Sequence, residues 1–202
     1  MAGAPLLYTP PAYTSSNVLY GIGVLFTAPV GTAVVSDQNL GVGSAWVSGG
    51  WSYVGATEAG VSLTFNPTTT DIRIEESQTP VAALVDQVNM QITTSLAEET
   101  LTNINLAYGN SGTVAVTAPG ASQPGKSVLT LSVNFASLAA VIIGKNQLGY
   151  ARVLSVPTVM SAGSVKTDYR RAANSRIYPL TLSAICPVSQ ITVTDLTSIA
   201  TS

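Results

Sequence analysis

Two stretches of the chain alternate strictly between apolar and polar residues. Side chains alternate across a strand, so each stretch predicts a strand with one core face and one wet face. In Asp71-Ile-Arg-Ile-Glu75 the isoleucines point one way and Asp71, Arg73 and Glu75 the other. From Val85 to Leu96 one face reads Asp86, Val88, Met90, Ile92, Thr94 and Leu96, and the other Val85, Gln87, Asn89, Gln91, Thr93 and Ser95. The link from Ser77 to Ala83 is short enough to join them as a hairpin. Such a ribbon would show water uncharged amides and a few acids. Periodicity does not say what that face meets, and open solvent is the ordinary fate of the pattern.

Elsewhere, short runs rich in Val, Ile, Thr, Leu and Tyr recur between Gly, Pro, Ser and Asn, which is an all-β signature. The candidate strands are 18–27, 60–66, 70–76, 84–95, 112–118, 127–134, 148–156, 158–167 and 176–186. One helix is signalled at 96–108. Ser95-Leu-Ala-Glu98 reads as a capping box, Ala97, Leu101, Ile104 and Tyr108 share a face, and Gly109 supplies a stop. Residues 1–16 are Pro-rich and read as an extended arm, and 187–202 as a Ser/Thr-rich tail or added strand. Residues 36–57 form a long Gly/Ser-rich loop that holds Trp46, Trp51 and Tyr53. Aromatics on a long loop suit an interface with another subunit. They also suit a hairpin whose rings fold back onto the core.

Charge changes this picture. Only 9% of the 202 residues are charged, against about 25% in an ordinary domain. Residues 1–100 carry eight acids and one base, Arg73, for −7; residues 101–202 carry two acids and seven bases, for +5. Proteins that stay apart usually coat themselves in both signs. Sparse, segregated charge suits a surface buried against other molecules, head-to-tail association included. Interleaving of the two halves in one fold would cancel it as well.

Composition also removes chemistry. There is no histidine, hence no usual base for a Ser or Cys nucleophile and no commonest metal ligand. Cys186 stands alone, and Glu75-Glu76 and Glu98-Glu99 are sequence neighbours that point apart. Catalytic, cofactor-binding and metal residues are therefore not expected. A pI near 4.9 argues against wrapping nucleic acid by charge neutralisation. The opening residues carry no basic, apolar leader pattern, and uncharged 17–36 is broken by Gly21, Gly23, Pro29 and Gly31, so neither a signal peptide nor a membrane span is expected.

The order Gly60-Val-Ser-Leu-Thr-Phe-Asn-Pro67, Asp71-Ile-Arg-Ile-Glu75, Pro80, the long strand and Leu96-Ala-Glu-Glu-Thr-Leu101 resembles the major tail tube protein of long-tailed bacteriophages. So do the later runs Tyr150–Pro157, Lys166–Arg171 and Arg176–Leu182. The resemblance spans roughly 55–186 and its motifs are soft. It implies a mainly β fold, a sandwich or barrel of two sheets over 17–186 with one flanking helix, an extended loop and terminal arms. It implies hexameric rings stacked head-to-tail in the virion tail, assembled in the host bacterial cytoplasm, with a tape-measure protein and tail tip and terminator proteins as partners. Double-stranded DNA would pass through the lumen without specific binding.

On that reading Asp71, Arg73, Glu75, Gln87, Asn89, Gln91 and Thr93 face the lumen, with Arg73 neutralised by Asp71 or Glu75. Trp46, Trp51 and Tyr53 contact the next ring. Carboxylates repel phosphate and amides bind it weakly, so DNA would slide. The other readings are a capsid decoration or tail terminator protein and a secreted β-sandwich surface module; an enzyme is not expected.

Overall fold

The computed structural model describes residues 19–73, 75, 79–121, 123–146, 150–165 and 177–196. The arm at 1–16, Glu76, Lys166, Arg170, Arg171, Arg176 and the end of the tail lie outside the described residues.

The run Leu138-Ala-Ala-Val-Ile-Ile143 organises the fold. It lies in strand β7 (Leu138–Asn146), between β1 (Leu19–Pro29) and β8 (Ala151–Ser161), antiparallel to both. Both faces of this group are apolar. Leu25, Leu138, Ala140 and Val156 enter one buried cluster, while Phe26, Ala28, Ala139, Val141, Ile143 and Val153 enter another on the opposite side. A strand buried on both faces shows a continuous apolar run instead of alternation.

The first face is covered by the second half of the same sheet. Strand β8 changes partner across a register shift between Val156 and Val159: residues 152–155 pair with β10 (Thr192–Asp195), whereas 159–161 pair with β9 (Tyr178–Ala184). β9 pairs with β4 (Ala82–Leu96), and β4 with β3 (Thr57–Ile72), which forms the edge. β3 returns to touch β1 near Gly23, so the sheet wraps over a core of Leu25, Ile92, Leu96, Leu180 and Leu182. The described ladders do not close it into a barrel; the fold is mainly β and sandwich-like. Arg152 donates to Asp195 across β8 and β10. That hydrogen bond, with the neighbouring negative charge, pushes the Arg152 pKa up. A raised guanidinium pKa adds stability that is lost only far above neutral pH, and a pair this exposed adds little.

The second face is covered by the segment expected to be an exposed loop. After an irregular stretch it forms a short 3-10 turn (Asp37–Asn39), helix α1 (Gly43–Ser48) and the two-residue strand β2 (Ser52–Tyr53) beside β1. Trp46 and Trp51 are 0% and 2% exposed. Their rings meet edge-on at 5.4 Å, and Phe26 stacks on Trp46 at 5.9 Å. The Trp46 indole N–H donates to Leu40 O and that of Trp51 to Ala33 O, both at 3.0 Å. These rings cover the sheet and are not available to a neighbouring ring. Tyr53, half exposed, is the one of the three that is.

The helix is shorter than its sequence signal. Helix α2 runs Leu101–Ala107, with Thr100 as N-cap accepting from Asn103 N at 3.1 Å. Ser95 caps nothing, because β4 continues through Leu96 and pairs there with both Thr57 and Tyr178. Glu98 instead accepts the Ala56 N–H at 2.8 Å and lies against Gly55. A separate ribbon lies beside α2: among the described residues β5 (Thr113–Thr117) pairs only with β6 (Lys126–Thr130).

Trp46→Ala is expected to cost about 3–5 kcal/mol in urea-induced unfolding, while Tyr53→Ala shifts the midpoint little. Equal midpoints would contradict the packing. Gly55 and Gly31 both have left-handed backbones, φ +96° and +89°, but an added Cβ meets Glu98 at 2.7 Å only at Gly55. Gly55→Ala should therefore destabilise more than Gly31→Ala in the same assay.

Candidate functional site

The β3–β4 hairpin sorts its residues by face. Residues directly opposite in an antiparallel pair share a face. On one face the rungs are Ser62/Thr93, Thr64/Gln91, Asn66/Asn89 and Thr68/Gln87. On the other they are Val61/Thr94, Leu63/Ile92, Phe65/Met90 and Pro67/Val88. One face is thus a four-rung ladder of uncharged hydroxyls and amides. The polar member of the apolar face is satisfied, Thr94 Oγ1 donating to Gly60 O at 2.7 Å.

The hairpin also divides along its length. From Met90 to Leu96 every second residue of β4 is buried, whereas Ala82–Gln87 and Ser62–Ile72 are exposed. The ladder therefore begins over the core and continues beyond it. Pro67 is tolerated because β3 is an edge strand, where a missing N–H costs no ladder bond.

A bulge changes the face assignments near the tip. The register moves from Thr68/Gln87 to Thr69/Val85, leaving Asp86 as an extra residue on β4. Asp86 consequently turns away from the core side and accepts a hydrogen bond from Thr70 Oγ1, next along the polar face from Thr68. Beyond the bulge Val85 and Ala83 oppose Thr69 and Asp71, on the side of Leu63 and Phe65.

Of the seven expected lumen residues, Gln87, Asn89, Gln91 and Thr93 come together on one face. Asp71 does not join them, since alternation along β3 places it with Phe65 and Thr69. Arg73 and Glu75 lie past the end of β3 and are exposed. Among the described residues the ion pair found is Arg152–Asp195, and none joins Arg73 to Asp71 or Glu75. The residues not anticipated are Ser62, Thr64, Asn66, Thr68 and Asp86. The first four had a signal, because 61–68 alternates apolar and polar without a break.

Apart from Asp86 at its outer end, this surface offers many weak neutral hydrogen bonds and no charged group. No group of three or more metal-ligating side chains occurs among the described residues. No described helix is long and apolar enough to cross a membrane.

Comparison with known proteins is specific on one point. Residues 11–148 match the model of a family described as phage tail tube protein. No curated protein matches the chain. Among matching solved structures is a chain from the tail of an empty GTA particle, computed with helical refinement and C6 symmetry. It is 12% identical, with a TM-score of 0.45, over 85% of this chain and 95% of that one. A TM-score below 0.5 carries no weight for the shape or assembly of this molecule. The family match alone covers well over half of the chain, which thereby belongs to the phage tail tube proteins, structural components of the virion tail.

Proposed function

We propose that copies of this chain form six-membered rings that stack head-to-tail into a tube. The uncharged ladder of Ser62, Thr64, Asn66, Thr68, Gln87, Asn89, Gln91 and Thr93 lines the bore. The observation that carries this reading is the hairpin's division into a neutral polar face and an apolar face, both continuing beyond the core.

A wall of amides and hydroxyls suits a conduit for a polyanion. Retention of DNA scales with the number of phosphates paired to Lys and Arg, each releasing condensed counterions. Neutral donors that exchange readily with water leave the duplex free to move. Asp86, held by Thr70, adds a weakly repelling charge at the outer end of the ladder.

The long exposed edge of β3 supports assembly. An unpaired edge of 16 residues is a template for another strand. Pairing it with a neighbour within a ring satisfies its backbone groups and stops open-ended growth in that direction. Tyr53 and the terminal arms are the candidates for contact between rings. A tape-measure protein, a tip complex and a terminator are the partners expected for such a tube.

Negative-stain electron microscopy of the purified chain, with light scattering, tests the assembly; hollow tubes of uniform width are expected. Gln87→Lys with Gln91→Lys tests the wall. Tubes should form as before while DNA ejection slows, because two new cations per subunit repeat along the bore. Unchanged ejection through normal tubes would place the ladder outside the lumen.

A further inference from the structure

The β5–β6 ribbon is held firmly at its base, lies beside α2, and is largely exposed along its length. At the base, buried Asn105 grips Gly112 twice: its Oδ1 accepts the Gly112 N–H at 2.8 Å and its Nδ2 donates to the Gly112 carbonyl at 3.1 Å. Ser111 Oγ donates to Ser132 O at 2.7 Å, and Ala136 N to Gly109 O at 3.0 Å. Phe135 lies against Gly109, where any Cβ would overlap its ring at 2.0 Å. Yet every residue of the two strands except half-buried Leu129 is exposed. A two-stranded ribbon is marginal in water without a face to pack on.

Its chemistry is narrow. Residues 111–135 contain one charge, Lys126, and no acid. The register sets Ala115 opposite Val128 and, one rung nearer the tip, Thr117 opposite Lys126. The same face therefore presents an apolar rung followed by a cationic one. The β3–β4 hairpin presents the converse on the side away from its polar ladder: Thr69 opposes Val85, and one rung nearer its tip Asp71 opposes Ala83. In both ribbons the step between rungs is two residues, about 7 Å. Val85 and Val128 are 57% and 45% exposed, and Lys126 and Asp71 are both exposed.

We propose that the β5–β6 ribbon of one copy docks on the apolar face of the β3–β4 hairpin of the next, with Val128 against Val85 and Lys126 against Asp71. The occupant is a second copy of this chain because each ribbon follows an exposed valine with one charge, and the two charges are opposite. On its own chain the ribbon packs on α2. The two patches differ, so the contact is heterologous and passes from copy to copy instead of closing as a dimer. It uses the hairpin face opposite the polar ladder, so lining the bore and binding a neighbour do not compete. The inference rests on the tube reading for the setting in which copies meet.

Charge exchange tests it. Lys126→Asp and Asp71→Lys should each raise the concentration needed for assembly by about tenfold, the effect of losing one modest interfacial charge coupling. The double variant should return to within about twofold of the parent. Circular dichroism and thermal melting should be unchanged throughout, since both groups are exposed. Val128→Gln should weaken assembly and Val116→Gln, on the opposite face, should not. A double variant no better than its parts, or rescue of Lys126→Asp by Asp86→Lys instead, overturns the contact while leaving tubes intact. A parent chain that stays monomeric at every concentration overturns the ring reading and this contact together.

Discussion

Burial of β7 on both faces is the constraint from which the rest of the structure follows. A strand whose successive side chains are Leu138, Ala139, Ala140, Val141, Ile142 and Ile143 has no face that tolerates water. Two separate covers are required, and the chain supplies both. The change of partner along β8 joins the β9–β4–β3 half of the sheet, which covers one side, and the Trp46–Trp51 segment closes the other. Ala140 is buried under the first cover and Ala139 under the second. Each cover gains in turn, because the tryptophans satisfy their indole N–H groups on nearby carbonyls while burying their rings.

That arrangement fixes where the polar face can be. The inner half of the hairpin is held by β9 on one edge and by core burial of Met90, Ile92 and Leu96, so its faces cannot exchange. A one-residue slip would carry all three into water. The outer half has no such anchor and inherits its register from the inner half. The bulge at Asp86 is the one place where this inheritance is altered, and it turns an acid onto the ladder face beside Thr70.

The same physics decides what was legible from sequence. Alternation is visible where one face is wet, and the hairpin, its pairing and the face of Gln87, Asn89, Gln91 and Thr93 could be read from it. β7 could not be found this way, since two-sided burial erases the alternation that marks a strand. Trp46 and Trp51 looked like interface anchors because a Gly/Ser-rich segment carries no periodic sign of packing back on a sheet. Ser95 and Glu98 have the spacing of a capping box, but pairing of Leu96 with two neighbouring strands competes for the same backbone groups and prevails. Asp86 falls on the other face because one extra residue in β4 leaves no mark in its pattern; Asp71 does so because 60–66 and 70–76 read as separate strands, whereas β3 runs through Ile72 and its alternation sets Asp71 with Phe65.

Sparse charge follows from the amount of surface that is strand edge or apolar ribbon. Among the described residues β3, β5 and β6 all have unpaired edges, and Leu63, Phe65, Val85, Val116 and Val128 are all exposed. A free-standing protein would guard such edges with lysines, bulges and inward-pointing charges. Here β3 carries a proline, an irregularity between Thr57 and Val61, the exposed acids Glu58 and Asp71 and a bulge opposite Thr68–Thr69, and the β5–β6 ribbon a single lysine near its tip. Such sparse devices suit the proposed association, because an isolated charge on an apolar face favours the partner that carries its opposite and disfavours the rest. On the proposed assembly, low charge leaves the edges open to a matching copy, and the few remaining charges select which surfaces meet.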